Sequence, residues 1–189
     1  MHLGELAARL RFEFIGDRGA DASAYRESTL WDGRVNPRIR NVIRGITDEG
    51  RLVYFDSFLH VGEPETSISA CACHGPYRFE RLALGMQTGF LGRDIPKLAC
   101  TDYVELDSAE FTRTFAVECA DKKFAYDILH QRAMEFLLKR PTIRMNLFGD
   151  CVLFWYERRL PVKEVEGFIA DTREFARMLP GYLADRGRA

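Results

Sequence analysis

The sequence lacks any apolar run long enough to cross a membrane. A membrane-spanning helix needs about 20 consecutive, mainly apolar residues, and the longest apolar stretches here, such as residues 151–156, are far shorter. The first residues also lack the basic segment and the long apolar segment of a secretory signal peptide. From these absences we expect a cytoplasmic protein with no membrane span.

The sequence also has almost no net charge. Its 27 Lys and Arg residues oppose 28 Asp and Glu residues, which leaves a formal charge of -1. Such a chain has no overall field that would attract a phosphate backbone or an anionic lipid surface. We therefore do not expect nucleic acid as the partner unless a local basic patch supplies the charge.

Recognisable catalytic motifs are missing as well. The five cysteines are an odd number, and a chain of 189 residues can form a core without disulfide staples, so we expect reduced thiols. Gly85, Gly89 and Gly92 are not followed by the Lys-Ser or Lys-Thr of a phosphate-binding loop. No segment therefore assigns an enzymatic reaction or a cofactor.

What the sequence does contain is typical of a folded protein, with 47% hydrophobic and 12% aromatic residues. Two β-rich runs flank residues 48–50, which predicts a hairpin within residues 38–61. Residues 66–73 and 77–86 are predicted as two further strands, joined by a His-Gly-Pro turn at residues 74–76. The first half of the chain therefore predicts an antiparallel sheet.

The second half adds helices. A helix is predicted over residues 121–140, a two-residue Gly-Asp turn at residues 149–150 is predicted to join a hairpin within residues 142–156, and a last helix is predicted from Pro161. Residues 3–10 predict a short amphipathic helix. Together these elements predict a single α+β domain over the whole chain, residues 1–189. Its mainly antiparallel sheet, of about six to eight strands, is covered by two long C-terminal helices and a short N-terminal helix.

The order of these elements resembles an uncharacterised family of bacterial domains that is common in actinobacteria. The likeness is carried by residues 40–45, 53–56, 110–111, 115–117, 121, 124–125 and 128–129, and the resemblance covers about two thirds of the chain. Members of that family are often preceded by membrane helices. The resemblance implies a bacterial protein of this fold, and it implies no catalytic residues because the family has no established activity.

Cys71, Cys73 and His74 form a local cluster of metal-ligating residue types. Two thiolates and an imidazole could bind Zn²⁺ or Cu(I) if a fourth ligand came from elsewhere in the fold. On a strand, alternation places Cys71 and Cys73 on one face of the sheet. The alternatives are therefore a metal or thiol-redox site at these three residues, or a buried pair of thiols that pack as small apolar side chains.

Arg38, Arg40 and Arg44 form the best basic patch of the chain, and strand alternation predicts that all three lie on one side of the first hairpin. This face could bind an anionic partner such as nucleic acid, or it could be a solvated strand that discourages edge pairing. Asp56 lies inside an apolar run of the next strand, where a carboxylate is costly unless it is paired. We predict Arg44 as its partner.

A Gly-rich connection over residues 85–99 carries more apolar residues than a solvated loop needs, and Phe90 and Leu91 are predicted there as an exposed interaction patch. Because the identifiable features are packing features, we expect a non-catalytic interaction or scaffold module whose partner is another protein. The metal or thiol-redox site and the arginine strand face are the two alternatives.

Overall fold

One antiparallel sheet forms the centre of the structure. The structure is a computed structural model, and it describes residues 2–17, 22–31, 38–59, 66–87 and 102–183. In these residues the sheet has six strands in the order β1-β2-β3-β4-β5, and β6 pairs with β4 as well. The strands are β1 (Glu13–Gly16), β2 (Arg38–Thr47), β3 (Gly50–Leu59), β4 (Thr66–Met86), β5 (Phe115–Cys119) and β6 (Arg144–Tyr156).

Helices account for most of the remaining described residues. The α-helices are α1 (Leu3–Arg9), α2 (Ala109–Thr114), α3 (Lys122–Ile128), α4 (Gln131–Leu138) and α5 (Val162–Met178), and two short 3-10 helices span Ala22–Tyr25 and Thr29–Trp31. The predicted α+β fold with an antiparallel sheet is confirmed, as are the N-terminal helix and the hairpin formed by β2 and β3.

The sheet is buried on both faces. On the face that we call the helix face, Leu52 and Tyr54 belong to a core cluster with apolar residues of all five α-helices. On the other side, which we call the opposite face, Val53 packs in a second cluster with Tyr25 and Leu30 of the 3-10 helices. This arrangement follows from strand alternation, since successive residues of β3 point to different sides of the sheet.

The sequence prediction of a turn at residues 74–76 is wrong, because β4 is one continuous strand of 21 residues. β6 pairs with β4 on both sides of these residues, and the register shifts between His74 and Phe79 and again between Phe79 and Leu82. Proline lacks the N–H that a ladder needs, so Pro76 is tolerated where a bulge interrupts the pairing.

The predicted hairpin turn at Gly149-Asp150 is also wrong, because β6 is a single strand. Gly149 has a φ of 52° and lies opposite Phe79, at the irregular part of the pairing with β4. A left-handed residue on one strand creates a bulge as readily as it creates a turn. The Gly-Asp signal therefore marks a real irregularity of the backbone at residues 149–150, but the irregularity is a bulge within a strand and not a hairpin turn.

The helix predicted over residues 121–140 is divided into α3 and α4. The Asp121 side chain caps α3 by accepting a hydrogen bond from the Phe124 N–H at 3.1 Å, as predicted. Leu129 then leaves the helical conformation, and His130 caps α4 while its Nε2 lies 3.1 Å from the carbonyl oxygen of Met178. A histidine in the middle of the helical pattern therefore marks the break.

Candidate functional site

A β-bulge divides the predicted arginine face of β2. The pairing with β3 shifts between Arg40 and Ile43, because β2 has one extra residue there, and Asn41 has a φ of 56°. An extra residue reverses the side to which all later side chains of the strand point. The prediction that the three arginines share one side is therefore wrong: Arg38 and Arg40 share one face, and Arg44 lies on the other.

The two arginines before the bulge lie toward the end of the hairpin farthest from its turn. Arg38 pairs with Phe58 and is exposed, and the Arg40 guanidinium lies 5.2 Å from the centre of the Phe58 ring. This is the geometry of a cation–π contact at an exposed position. It gives Arg40 a packing partner on its own strand pair.

On the opposite face, Arg44 lies beside a small cavity that we call the arginine pocket. Its volume is about 170 Å³. Arg51 and His74, which are directly paired in the register of β3 with β4, also line it. The remaining lining residues are Ala24, Tyr25, Val53 and Phe55.

The side chains of the arginine pocket are held by Asp150, which lies outside the lining, and by ring contacts among the lining residues themselves. His74 Nδ1 lies 2.9 Å from a carboxylate oxygen of Asp150, which follows the Gly149 bulge. The Tyr25 ring lies 5.0 Å from the Phe55 ring and 6.2 Å from the His74 imidazole. The bulge thus aims Asp150 at His74, a contact that the two-residue turn prediction concealed.

The structure separates His74 from the two thiols with which it was grouped. Cys71 and Cys73 belong to the core on the helix face, whereas His74 lines the arginine pocket on the opposite face. The cause is alternation, since His74 directly follows Cys73 on β4. Within the described residues, no group of three or more His, Cys, Asp or Glu side chains is placed to hold a metal ion.

The described cysteines are buried free thiols. Burial raises the pKa of Cys71 to about 12 and that of Cys73 to about 11. The thiolate is the form that attacks substrates and binds metals, so these pKa values oppose both reactions at neutral pH. The described free cysteines are Cys71, Cys73, Cys119 and Cys151.

Asp56 is the centre of a buried hydrogen-bond network on the helix face. Its carboxylate accepts hydrogen bonds from the Tyr54 hydroxyl at 2.7 Å, the Ser69 hydroxyl at 2.6 Å and the Asn41 amide at 2.8 Å. The exposed guanidinium of Arg159 lies 3.3 Å away. These contacts supply the hydrogen-bond donors that a buried carboxylate needs.

The prediction that Arg44 pairs with Asp56 is wrong. In the register of β2 with β3, Arg44 lies opposite Val53, and Arg40 lies opposite Asp56. Asn41 supplies the contact instead, because its bulge conformation brings the amide within reach of the carboxylate. Sequence reasoning missed Asn41, although asparagine is one of the few residues that tolerate a positive φ.

The same network fixes the chain that leads into α5. The Ser69 hydroxyl accepts a hydrogen bond from the Leu160 N–H at 2.9 Å, and the Ser69 N–H donates to the Arg158 carbonyl at 3.1 Å. Burial, followed by the adjacent Asp56 charge, raises the pKa of Tyr54, so its hydroxyl stays a donor. The network therefore ties three neighbouring strands, β2, β3 and β4, to the start of α5 and has an architectural role.

A groove beside the hairpin turn is bordered by Ile46, which has the most exposed large apolar side chain of the described residues. Ile46 is 78% exposed. The groove, which we call the α5 groove, has a volume of about 460 Å³ and lies between the end of α1, the β2–β3 turn and α5. It is lined by Leu10, Arg11, Phe12, Ile46, Thr47, Asp48, Glu166, Ile169, Ala170 and Arg173.

Glu49 fixes the hairpin turn to α5 at the edge of this groove. Its buried carboxylate accepts hydrogen bonds from Arg173 at 2.8 Å and from Arg177. Burial acts to raise the pKa of Glu49, but hydrogen bonds from Arg173, Thr47 and Arg177 outweigh it and lower the pKa to about 2. The two arginines therefore hold Glu49 in its charged form.

Glu49→Gln is expected to lower the free energy of unfolding at neutral pH by about 1–2 kcal/mol, because it removes the charge from two hydrogen bonds. The folded pKa lies below the usual 4.5, so the carboxylate stabilises the fold above that pH, and the contribution is lost as the pH falls toward 2. Urea unfolding at a series of pH values measures this. The difference from wild type should shrink on acidification, and Glu174→Gln at an exposed position of α5 is the control. A difference independent of pH would contradict the assignment.

Two further predictions concern an exposed apolar patch and a membrane span. Phe90 and Leu91 fall outside the described residues. No α-helix in the described part has the length and apolar character needed to span a bilayer.

These observations define an α+β protein in which an antiparallel sheet carries a helix layer on one face and a small basic pocket on the other. No protein-family model matches the chain, and no curated protein matches it either. Among solved structures it is similar to the crystal structure of the mycobacterial trehalose monomycolate transport factor A, TtfA. The two are 15% identical, the match covers 94% of each chain, and the TM-score is 0.68. This likeness shows the fold. It agrees with the resemblance to an actinobacterial family in one respect, that a mycobacterial protein has the same fold.

Proposed function

We propose that this chain is a non-catalytic accessory module that binds another protein through the α5 groove. The observation that carries the proposal is a groove lined by Leu10, Phe12 and Ile169, with Ile46, a large apolar residue left 78% exposed, at its rim. Exposed apolar side chains beside concave surfaces are typical of protein-binding sites, because an anchor from the partner can displace water there.

The groove has the composition of a specific contact. Leu10, Phe12 and Ile169 supply apolar surface, while Arg11 and Asp48 supply charges of both signs. An apolar centre with a mixed polar rim fits a partner segment that inserts one apolar side chain and pairs with both charges. Neither charge sign dominates, so this groove favours a protein over a polyanion.

The groove is also held in shape before a partner arrives. Glu49 joins the hairpin turn to α5 through Arg173, and Phe12 lies directly over Gly45 at the base of the hairpin. A preformed groove does not have to be ordered on binding, which lowers the entropic cost of association.

The fold comparison supports an accessory role. The protein that shares this fold is named as a transport factor for trehalose monomycolate. For this chain we adopt only the idea of a factor that assists another protein, in the cytoplasm that the sequence predicts. The buried thiols and the architectural use of Asp56 agree with a chain whose work is recognition.

Affinity capture with in-cell crosslinking in the native host tests the proposal. The wild-type protein is expected to enrich a discrete partner with crosslinks to α1, the β2–β3 turn and α5. Ala170→Gln, at an exposed position that lines the groove, and Ile46→Ser are expected to reduce that partner about tenfold together. Ala109→Gln at an exposed position of α2 is the matched control.

Two results would overturn this function. One is a captured partner whose yield and crosslinks are unchanged by the groove variants, since its contact would lie elsewhere. The other is turnover of a substrate by the purified chain that is abolished by changing one residue. Circular dichroism of each variant checks that the fold is retained.

A further inference from the structure

The arginine pocket brings cationic and polar side chains from three neighbouring strands to one point. Arg51 on β3 and His74 on β4 are directly paired, and Arg44 on β2 lies opposite Val53, two residues along β3 from Arg51. Directly paired and diagonal neighbours on one sheet face are close enough for long side chains to meet. All three line the same cavity.

We propose that this pocket binds a phosphate group, either as inorganic phosphate or as the end of a phosphate monoester. Two guanidinium groups on different strands donate from different directions, which suits the tetrahedral arrangement of phosphate oxygens. A carboxylate can also accept from two guanidinium groups, as Glu49 does, but its lone pairs lie in one plane and match donors from different directions less well. The site is independent of the α5 groove and uses none of its residues.

The walls of the pocket strengthen such an interaction. Val53, Phe55 and Tyr25 are buried apolar or aromatic side chains that exclude water from one side of the cavity. Charged hydrogen bonds are stronger where the local dielectric is low. Burial raises the pKa of Tyr25, with Cys151 and Cys71 acting in the same sense, whereas the charges of Arg51 and Arg44 act in the opposite sense. The charges of both guanidinium groups are therefore felt at the Tyr25 side chain, which lines the pocket.

The histidine is held in a defined orientation. An ionised Asp150 can only accept a hydrogen bond, so the nitrogen of His74 that faces it carries the proton. The ring edge with Nε2 is then the one left for a ligand. Among the described residues, Asp150 at His74 and Glu13, which is paired with Arg44 in the register of β1 with β2, are acidic neighbours of these groups. They reduce the local positive charge, so we expect weaker binding than two unopposed guanidinium groups would give.

The size of the cavity restricts the ligand. A cavity needs about 10–15 Å³ to hold one water molecule, so about 170 Å³ has room for a small oxyanion together with water molecules. Sites for drug-sized ligands usually exceed about 300 Å³. The pocket therefore has room for the phosphate group and leaves the rest of an ester outside.

Amide chemical-shift titration of the full chain tests the proposal. The probes are inorganic phosphate, glycerol 3-phosphate and acetate, with sodium chloride holding the ionic strength constant. The two phosphates are expected to give saturable shifts at residues 25, 44, 51 and 74, and acetate is expected to give only small unsaturated shifts. Arg44→Gln with Arg51→Gln should weaken phosphate binding about tenfold or more.

Matched controls separate a local site from general charge effects. Arg78→Gln with Arg81→Gln removes the same charge at exposed positions of β4 and should leave binding unchanged. Arg51→Gln alone, also at an exposed position, keeps the test decisive if the double variant is unstable.

Each outcome bears on the proposal. Saturable shifts with both phosphates support the proposal and indicate a site that is open to esters. Saturable shifts with inorganic phosphate alone also support it and indicate a site for the free ion. Equal binding of acetate, absence of saturation, or equal loss in the Arg78 and Arg81 control would overturn it. Capture of a partner through the α5 groove is unaffected by any of these results.

Discussion

Replacing Asp56 by alanine is expected to lower the free energy of unfolding by about 3–5 kcal/mol. The carboxylate is 1% exposed and accepts hydrogen bonds from Asn41, Tyr54 and Ser69. Alanine leaves those donors without their acceptor and opens a void among them. Urea unfolding monitored by circular dichroism measures the change.

Two further variants separate the hydrogen bonds from the ion pair. Arg159→Gln should cost less than about 1 kcal/mol, because the Arg159 side chain is 53% exposed and water replaces its contact. Asp56→Asn keeps the shape and one acceptor oxygen, so its loss in free energy of unfolding should lie between those of Asp56→Ala and Arg159→Gln. It also gives a measurable value if the alanine variant does not fold. An Arg159 effect as large as that of Asp56→Ala would show that the charge pair, and not the network, holds this region.

Gly50→Ala is expected to cost about 3 kcal/mol or more, because two effects add at this position. Gly50 has a φ of 141°, which side-chain-bearing residues rarely adopt. An added Cβ would also overlap the carbonyl oxygen of His74 and lie 2.8 Å from its carbonyl carbon. Backbone cannot rotate aside, so the hairpin and β4 would have to move apart. Thermal and urea unfolding both report the loss.

Gly149→Ala is the matched control for this prediction. Gly149 also has a positive φ, of 52°, but an added Cβ would meet nothing within 4 Å. Only the left-handed backbone is then penalised, at about 1–2 kcal/mol. If both variants lose the same stability, the close approach of Gly50 to His74 makes no contribution, and the predicted order of effects is contradicted.

The local sequence pattern predicted the fold class and several elements correctly, because those elements have a period or a cap of their own. Asp121 capped a helix as expected, and the residues flanking Gly50 formed a hairpin. Two errors came where a turn signal lay inside a long strand, and another came where the chain leaves the helical conformation at Leu129. Gly75 and Gly149 occupy irregular positions of strands that continue past them, since each strand has a partner that pairs on both sides.

The candidate sites were less predictable, since they depend on side-chain direction. One extra residue near Asn41 decides whether Arg44 joins Arg40 or Arg51, and no periodicity in the sequence reveals such an insertion. The sequence pattern indicates only a turn at Asp150, although its position after Gly149 places its carboxylate at His74. The α5 groove joins segments far apart in the chain, so no local motif could identify it.

The length of β4 has a consequence for synthesis on the ribosome. One edge of this strand pairs with β3 soon after it emerges, but β6, which pairs with both halves, lies as far along the chain as Tyr156. Until then the nascent chain presents an unpaired and strongly apolar ladder, a surface that invites aggregation between growing polypeptides. Chaperone protection in that interval is therefore expected to matter more for yield than any single side-chain contact.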